Sequence, residues 1–435
     1  MAYAPHHADM PSLSSGTSMP QGYIPRHAET SIARLASMFG AVLVTGARQV
    51  GKSTLLEHYT KHIVDGNKKL TLDNAAVLEA ARKAPETFFA YNTPPLFIDE
   101  IQKAPELFPE MKIVIDSTRG KGLLYLSGSE QFEMMAHVTE SLAGRIGILT
   151  LMGLSLREMN TIPCSEPFLP SQNYFAQRLA ATSDDIKLSP SDVWHHIHRG
   201  SMPELTANPQ YDWAGFYGSY VRTYLERDVR RIAHIGDDLK FQSFMTVVAA
   251  RSGQLLNLAD IASNVGISAT TAQRWLSILI ASHIVYLLRP YYTNHTKRAI
   301  KTPKLYLTDT GLVAYLTRWN TPEALREGAM AGQLFETFVV AEILKSYYNR
   351  GILDPPLYYY RDKDKREIDL LIESNGCLHP LEIKKAGVAR SGDTNTFRLV
   401  EALPGVTRGS GGVICLAENL MPLSAIDATI PVSLI

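Results

Sequence analysis

Short apolar runs separated by helix-like segments predict a parallel α/β sheet in the first third of the chain. Runs near residues 42–45, 94–98, 122–126 and 146–151 are rich in aliphatic and β-branched residues and have the length of buried strands. The first run leads directly into a glycine-containing loop and then a helix. The predicted fold class is therefore α/β, with a parallel-sheet core over residues 23–156.

The pattern changes after Leu154 to polar helices and turns, which predict a helical lid or connector over residues 157–215. Farther on, residues 257–262 and 269–276 have helical spacing around a break at Gly266, which is typical of a helix-turn-helix. A strand is predicted at 284–288. We therefore expect a winged-helix domain over residues 216–320, and an α/β nuclease-like domain over residues 321–435 for the reasons given below.

Composition narrows the functional class only slightly. The chain has 435 residues, 45% of them hydrophobic, which is ordinary for a globular protein of several domains. Lys and Arg together number 43, as do Asp and Glu, so a globally basic nucleic-acid coat is not expected. The three cysteines are widely spaced, and no apolar run has the length to cross a membrane. We expect a cytoplasmic protein with a disordered tail over residues 1–22.

The loop after the first strand has the spacing of a phosphate-binding loop. The glycines permit close approach of the backbone to a polyphosphate, and the helix that follows presents its N-terminus to the same anion. Lys52 would contact the β- and γ-phosphates, and the Ser53 hydroxyl would ligate Mg²⁺. The candidate nucleotide-binding residues are Gly46, Arg48, Gln49, Val50, Gly51, Lys52, Ser53 and Thr54.

Acidic and hydroxyl groups end the next two predicted strands. Asp99 is placed to hold Mg²⁺ together with Ser53, and Glu100 to orient or deprotonate the attacking water. Ser127, at the end of a later strand, is a candidate sensor of the γ-phosphate or the water. Arg145 precedes another strand, where it is either an arginine finger for a neighbouring subunit or a helix-terminal residue that favours the dipole.

These motifs resemble a known family. GARQVGKST, LFIDEIQKAPELF, LLYLSGSEQF and SLAGR are similar to segments of the AAA+-type P-loop ATPases of bacteria and archaea whose C-terminal half is a domain of unknown function. The resemblance implies binding of ATP with Mg²⁺, hydrolysis with Asp99 and Glu100, and a homo-oligomer that brings Arg145 to the adjacent site. The phosphate loop alone does not distinguish ATP from GTP.

The predicted winged helix has a local excess of basic residues. No acidic residue occurs between Arg289 and Thr308, and tyrosines lie among the basic groups. Such a surface favours contact with DNA phosphates, although winged helices also serve as packing modules. The candidate DNA-contact residues are Arg274, Lys297, Arg298, Lys301 and Lys304.

The last domain combines acidic residues with a Glu-x-Lys strand. Glu382 and Lys384 point to one face of their predicted strand, Asp369 joins them if the preceding strand pairs with it, and Glu336 lies on a predicted helix. This arrangement resembles the restriction-endonuclease-like superfamily, and it predicts a possible second Mg²⁺ or Mn²⁺. The alternative is an inactive nuclease-like fold used for contact or assembly.

Two functions remain open from the sequence. The first is an ATP-dependent protein that couples its nucleotide state to DNA binding or processing. The second is a nucleotide-controlled binding switch whose inactive C-terminal half recognises a protein or nucleic-acid partner. No membrane association is expected for either.

Overall fold

The computed structural model describes residues 23–61, 69–128, 138, 140–163, 165–181, 188–225, 238–292 and 301–435. The tail predicted over residues 1–22 lies outside the described residues, as do Lys297 and Arg298. Within the described part of the chain, no helix is both long and apolar enough to span a bilayer.

A five-stranded parallel sheet forms the first core; the apolar runs predicted four of its strands but not β2. Its order is β2-β3-β4-β1-β5, with strands β1 (Ala41–Thr45), β2 (Lys69–Thr71), β3 (Leu96–Asp99), β4 (Leu124–Ser127) and β5 (Ile146–Thr150). Strands β1, β3 and β4 are buried throughout, because helices cover both faces of the sheet. On β1, Val42 and Val44 face one hydrophobic core, whereas Ala41 and Leu43 face a second.

The strand order brings three strand ends together. Strand β4 lies between β1 and β3, with Val44 opposite Ser127 and Ile98 opposite Leu126. Because the strands are parallel, the loop after β1, Asp99 and Ser127 all lie at the carboxyl edge of the sheet. The helices associated with this sheet are α1 (Ala28–Met38), α2 (Lys52–Lys61), α3 (Ala75–Lys83), α4 (Pro85–Tyr91) and α5 (Leu107–Thr118), with a short 3₁₀ helix at Ile101–Lys103.

Short helices follow the first sheet in the segment for which the sequence predicted a helical lid or connector. They are α6 (Leu156–Met159), α7 (Gln172–Ala180), α8 (Pro190–Arg199), α9 (Pro203–Ala207) and α10 (Trp213–Tyr220), the last continuing as a π-helical turn at Val221–Leu225. Buried Arg157 of α6 donates hydrogen bonds to the Ile435 carbonyl at 2.9 Å and to the Tyr174 hydroxyl at 2.8 Å. The end of the chain therefore packs on this connector.

Helices and strands occupy the segment for which the sequence predicted a winged helix. Helices α11 (Asp238–Ala250), α12 (Leu258–Val265) and α13 (Ala269–Ala281) pack together, and left-handed Gly266 ends α12. Strand β6 (Gln254–Leu255) precedes α12. Strands β7 (Val285–Pro290) and β8 (Lys304–Leu307) follow α13 and pair antiparallel.

A second sheet runs from these strands into the last part of the chain. Its order is β14-β15-β13-β11-β10-β9-β7-β8-β6, with β12 on β11, and the later strands are β9 (Leu357–Arg361), β10 (Glu367–Ser374), β11 (Cys377–Ile383), β12 (Thr407–Arg408), β13 (Gly411–Cys415), β14 (Met421–Pro422) and β15 (Asp427–Pro431). Parallel pairing of β7 with β9 joins the predicted winged-helix and nuclease-like segments in one sheet.

A long buried helix connects the second sheet to the first core. The helices of this region are α14 (Thr310–Leu316), α15 (Pro322–Glu327), α16 (Ala331–Asn349) and α17 (Arg398–Glu401), with 3₁₀ turns at Ser391–Phe397 and Val432–Leu434. The Ser31 hydroxyl of α1 donates to the Asn349 carbonyl at 2.7 Å, and Lys345 of α16 donates to the Leu154 carbonyl at 2.9 Å. These buried polar contacts fix α16 against the parallel-sheet core.

Candidate functional site

The first residue of the loop after β1 has a backbone conformation that only glycine adopts without strain. Gly46 has a φ of +141°, and a Cβ at this residue would lie 2.0 Å from the Leu151 carbonyl oxygen. Gly51, immediately before α2, also has a positive φ of +91°. The two glycines therefore allow the chain to curl between β1 and α2 while staying in contact with the end of β5.

Lys52 lies inside this loop. Its side chain is buried, and its ammonium group donates to the carbonyls of Gly46 at 3.1 Å and Ala47 at 2.7 Å. Arg26 supports the loop from the other side, donating to the Val50 carbonyl at 2.9 Å. A positive charge is therefore held at the start of α2, where the helix dipole also favours an anion.

The other loop residues differ in exposure. Val50 is buried, Arg48, Gly51 and Ser53 are partly buried, and Gln49 and Thr54 are exposed. Gln49 has a φ of +62°, which is unusual for a residue with a side chain. A left-handed residue between two glycines is consistent with a loop that turns its amide groups inward.

The structure brings Ser53, Asp99 and Ser127 together at the carboxyl edge of the sheet. The Ser53 hydroxyl donates to Asp99 Oδ1 at 2.7 Å, and the Ser127 hydroxyl donates to the same oxygen. Asp99 is nine-tenths buried. A hydroxyl and a carboxylate in contact are suitable oxygen ligands for Mg²⁺, so the residues present fit this ion.

Glu100 follows Asp99 and leaves the sheet through a left-handed turn. Its φ is +59°, and its carboxylate accepts a hydrogen bond from the Gln102 side chain. The residue is partly exposed. It therefore lies beside Asp99 in the chain without being buried in the hydrophobic core.

Arg145 lies at the opposite edge of the sheet. Its carbonyl accepts from the Ala41 amide at the start of β1, so roughly 15–20 Å of strand separates it from the phosphate loop. Its guanidinium binds both oxygens of Asp116, at 2.7 and 2.9 Å, and this contact lowers the pKa of the Asp116 carboxyl. Arg145 therefore does not reach the loop of its own chain.

Helix α13 presents one polar face. Arg274 is exposed on α13, whereas Trp275 is buried against Phe241 and Phe244 of α11 with ring centroids 5.3 Å apart in each pair. Ser268 caps α13 by accepting from the Thr271 amide at 3.1 Å. Helical periodicity therefore explains why neighbouring residues of α13 have opposite environments.

Lys304 was predicted to contact DNA, but the structure buries its side chain. Lys301 is exposed, but Lys304 is only 3% exposed, and its ammonium contacts Glu336 at 2.9 Å and Glu367 at 2.6 Å. Burial lowers the pKa of Lys304, but attraction from Glu336, Asp369 and Glu367 outweighs it, so the pKa is raised. The lysine therefore neutralises buried carboxylates inside the protein.

The four residues of the predicted nuclease-like motif do come together. Antiparallel pairing of Leu370 with Leu381 places Asp369 beside Glu382, the Ile383 amide donates to Asp369 at 2.9 Å, and Lys384 donates to Glu382 at 2.6 Å. Glu336 reaches the cluster from α16. We call Glu336, Glu367, Asp369, Glu382 and Lys384, with Lys304, the carboxylate cluster.

Burial and mutual repulsion raise the pKa values of three carboxyl groups in this cluster. Burial, and then Glu382, raises the pKa of Asp369 from 3.8 to about 6. Burial also raises the pKa of Glu336 and of Glu382. Among the described residues, no group of three or more His, Cys, Asp or Glu residues is arranged to hold a metal ion. The predicted second Mg²⁺ or Mn²⁺ therefore has no support, and Lys304 supplies positive charge there instead.

Sequence reasoning missed several of these contacts. Lys304 and Tyr306 alternate with leucines on β8, and the Tyr306 hydroxyl donates to Glu336 at 2.6 Å. A lysine in a short apolar strand indicates a buried ammonium group, and such a group needs a partner of opposite charge. This was the signal in the sequence that could have revealed the contact. Arg26 precedes the first predicted strand, and no pattern in the sequence indicated its contact with the phosphate loop.

Three segments of the chain match models of known protein families. Residues 39–160 match the model of the AAA domain, residues 190–323 match Domain of unknown function (DUF8612), and residues 331–435 match Domain of unknown function (DUF4143). The AAA match and the parallel sheet support an AAA-like α/β core over residues 39–160.

Similar proteins cover nearly the whole chain. Uncharacterized protein Mb2031c of Mycobacterium bovis and Uncharacterized protein Rv2008c of Mycobacterium tuberculosis are each 28% identical over 409 residues, which is 93% of this chain and 83% of theirs. The Walker-type ATPase PABY2304 of Pyrococcus abyssi aligns over 66% of this chain and 94% of its own, with 13% identity and a TM-score of 0.43.

Proposed function

We propose that this protein binds ATP with Mg²⁺ at the loop of residues 46–54, hydrolyses it, and uses its nucleotide state to control contact with DNA. The observation that supports this proposal best is the contact of Ser53 and Ser127 with one oxygen of Asp99, beside the loop that holds Lys52. A parallel sheet brings these residues to one edge, although they are far apart in the sequence.

The residues of the site have distinct roles in this proposal. Loop amides and Lys52 bind the phosphates and stabilise the charge that develops during transfer. Ser53 and Asp99 would hold Mg²⁺, which when bound neutralises phosphate charge. Glu100 orients the attacking water and accepts its proton, and Ser127 positions Asp99 or the water.

Two variants separate binding from hydrolysis. Lys52→Ala is expected to weaken binding of ATP, because the ammonium of the loop is lost. Glu100→Gln is expected to retain binding and stop turnover, because an amide does not accept the proton. Isothermal titration calorimetry and phosphate release measure these effects. Absence of binding to any purine nucleotide by the wild-type protein, or normal turnover in either variant, would refute the proposal.

Arg145 is proposed to act on a nucleotide bound by an adjacent copy of the chain. It lies at the edge of the sheet away from its own loop, and its exposed pair with Asp116 leaves it accessible. A mixture of Arg145→Ala and Lys52→Ala proteins tests this, because some interfaces then combine an intact loop with an intact arginine. Turnover that reappears in the mixture supports a homo-oligomer; a mixture as inactive as its components contradicts it.

The α12–α13 pair with β6, β7 and β8 has the element order of a winged helix, and we propose that its exposed face binds DNA. Arg274 and Lys301 are exposed on this segment. Replacing either with alanine is expected to reduce the dependence of affinity on salt by about one phosphate contact. Coupling is tested by measuring DNA affinity with ATP and ADP, and ATP affinity with DNA. Coupling between sites must be reciprocal, so mutual indifference would refute it.

A second candidate function is cleavage of nucleic acid by the carboxylate cluster, because Asp369, Glu382 and Lys384 meet there. The contacts of Lys304 with Glu336 and Glu367 favour the alternative, an inactive nuclease-like domain that recognises a partner. Plasmid incubated with Mg²⁺ or Mn²⁺ distinguishes the two. Cleavage that is lost in Asp369→Ala supports a nuclease, whereas intact plasmid with each metal and nucleotide supports the binding switch.

A further inference from the structure

His283 occupies a position at the end of α13 that usually requires glycine. Its φ is +56°, its amide donates to the Ile280 carbonyl at 3.0 Å, and the following Ile284 amide donates to the Leu279 carbonyl at 2.9 Å. These two bonds define a Schellman motif, in which the left-handed residue is normally glycine because a Cβ is disfavoured there. A histidine at this position therefore strains the backbone.

The turn at His283 is fixed against the second sheet. The Thr308 hydroxyl donates to the His283 carbonyl at 2.7 Å, and the Thr308 amide donates to the Ile284 carbonyl at 3.0 Å. Thr308 follows β8 directly and precedes Asp309, which caps α14. The position of the His283 side chain is therefore set by the helix-turn-helix and β8 together.

The imidazole of His283 faces the phosphate loop. It lines a cavity of about 20 Å³ together with Ala47 and Val50 of that loop and Gly153 beyond β5. Within the described residues, its Nε2 atom is shielded from solvent and has no hydrogen-bond partner. Burial, and then the charge of Lys52, lowers the pKa of His283 to about 4, so the imidazole is neutral near neutral pH.

Two unfavourable features therefore coincide at His283: a strained backbone and a buried polar atom that has no partner in the part of the chain that the structure describes. The imidazole lies beside the loop that is proposed to hold the phosphates, since Ala47 and Val50 line the same cavity and the charge of Lys52 acts on the imidazole. The cavity holds about one water-sized group, which is the size of a single phosphate oxygen. A neutral imidazole protonated on Nε2 is a hydrogen-bond donor, and a phosphate oxygen is a strong acceptor.

We propose that His283 contacts the phosphate chain of the nucleotide and donates a hydrogen bond to it from Nε2. This inference rests on the proposed nucleotide binding and adds a contact from outside the AAA core. Because His283 ends α13, the helix that displays Arg274, the contact links the occupied loop directly to the helix-turn-helix. The residue is thus a nucleotide-contact residue located in the segment that we propose binds DNA.

The test is the affinity for MgATP and MgADP measured by calorimetry in the full-length protein. His283→Gly suits the Schellman turn, so this variant is expected to unfold at the same temperature as the wild type or higher. Its affinity for both nucleotides is expected to fall about tenfold, as for loss of one hydrogen bond to a charged group. Asn375→Gly is the matched control, because Asn375 is an exposed left-handed residue in the β10–β11 turn and its replacement should leave affinity unchanged.

The outcomes separate this inference from the proposed function. If the wild type binds neither nucleotide, the proposed function fails and this inference fails with it. If the wild type binds, Lys52→Ala binds poorly and His283→Gly binds like the wild type, only the contact with His283 is refuted. Should His283→Gly fail to fold, His283→Asn replaces it, since asparagine tolerates the left-handed backbone. Wild-type affinity in that variant also overturns the contact.

Discussion

Replacement of Asp369 by asparagine is expected to stabilise the protein at alkaline pH. The carboxyl lies in the carboxylate cluster, where burial and then Glu382 raise its pKa from 3.8 to about 6. Asparagine has nearly the same shape and can still accept the hydrogen bond that the Ile383 amide donates at 2.9 Å. The substitution therefore removes a charge that is unfavourable in the folded protein while preserving the local geometry.

The size of the effect follows from the difference in pKa. One pKa unit corresponds to about 1.4 kcal/mol, so ionised Asp369 costs the folded state roughly 3 kcal/mol relative to the unfolded chain. Because the folded pKa is raised, the stabilising contribution of the acid is complete below pH ~4 and is lost as the pH rises through ~6. The advantage of Asp369→Asn should thus be about 3 kcal/mol near pH 8, about half of that near pH 5, and small near pH 4.

Thermal unfolding with EDTA, recorded across this pH range, measures the difference between variant and wild type. About 3 kcal/mol corresponds to an increase of several degrees in the unfolding temperature of a domain of this size. Asp364→Asn is the control, because Asp364 is exposed in the turn before β10 and should change stability little at any pH. A destabilised Asp369→Asn protein near pH 8, or a difference independent of pH, would refute the reasoning about repulsion in the cluster.

Three further substitutions test the packing around the candidate site. Gly46→Ala should lower stability by more than the ~1–3 kcal/mol of a strained backbone alone, because its Cβ would lie 2.0 Å from the Leu151 oxygen. Gly332→Ala in α16 is the control, because its Cβ would meet no atom of the described residues and the change should be neutral or stabilising. The unfolding temperatures of the two variants measure the difference. Arg26→Met should lower the free energy of unfolding in denaturant by about 3–5 kcal/mol, since buried Glu158 then loses the guanidinium that binds it at 3.1 Å. A loss no larger than that caused by replacing an exposed arginine would contradict this role. Trp275→Ala should lose about 3–5 kcal/mol of stability by leaving a cavity among the aromatic rings of α11, with circular dichroism as the measurement. An unchanged melting curve would show that the packing of α13 on α11 does not depend on this contact.

Local patterns determined the elements near the nucleotide site. The apolar runs predicted four of the five parallel strands of the first sheet, but not β2, whose short segment Lys69–Thr71 has no apolar run. The glycine spacing predicted the turn that joins β1 to α2. Both signals are local, because strand burial and positive φ angles depend mainly on nearby residues. The alternating pattern of residues 367–372 and 380–384 likewise predicted two strands, whose antiparallel pairing brings Asp369 beside Glu382. The AAA match over residues 39–160 confirms the class of core that these motifs indicated.

Contacts between distant segments could not be predicted in this way. Whether Lys304 faces solvent or Glu336 depends on the packing of α16 across β8, and sequence composition favoured an exposed basic wing. The approach of His283 to the phosphate loop depends equally on how α13 packs near the AAA-like core. Periodicity specifies which face of an element is buried, but the partner of that face is set by long-range packing, and only the tertiary structure showed which charges and polar atoms meet.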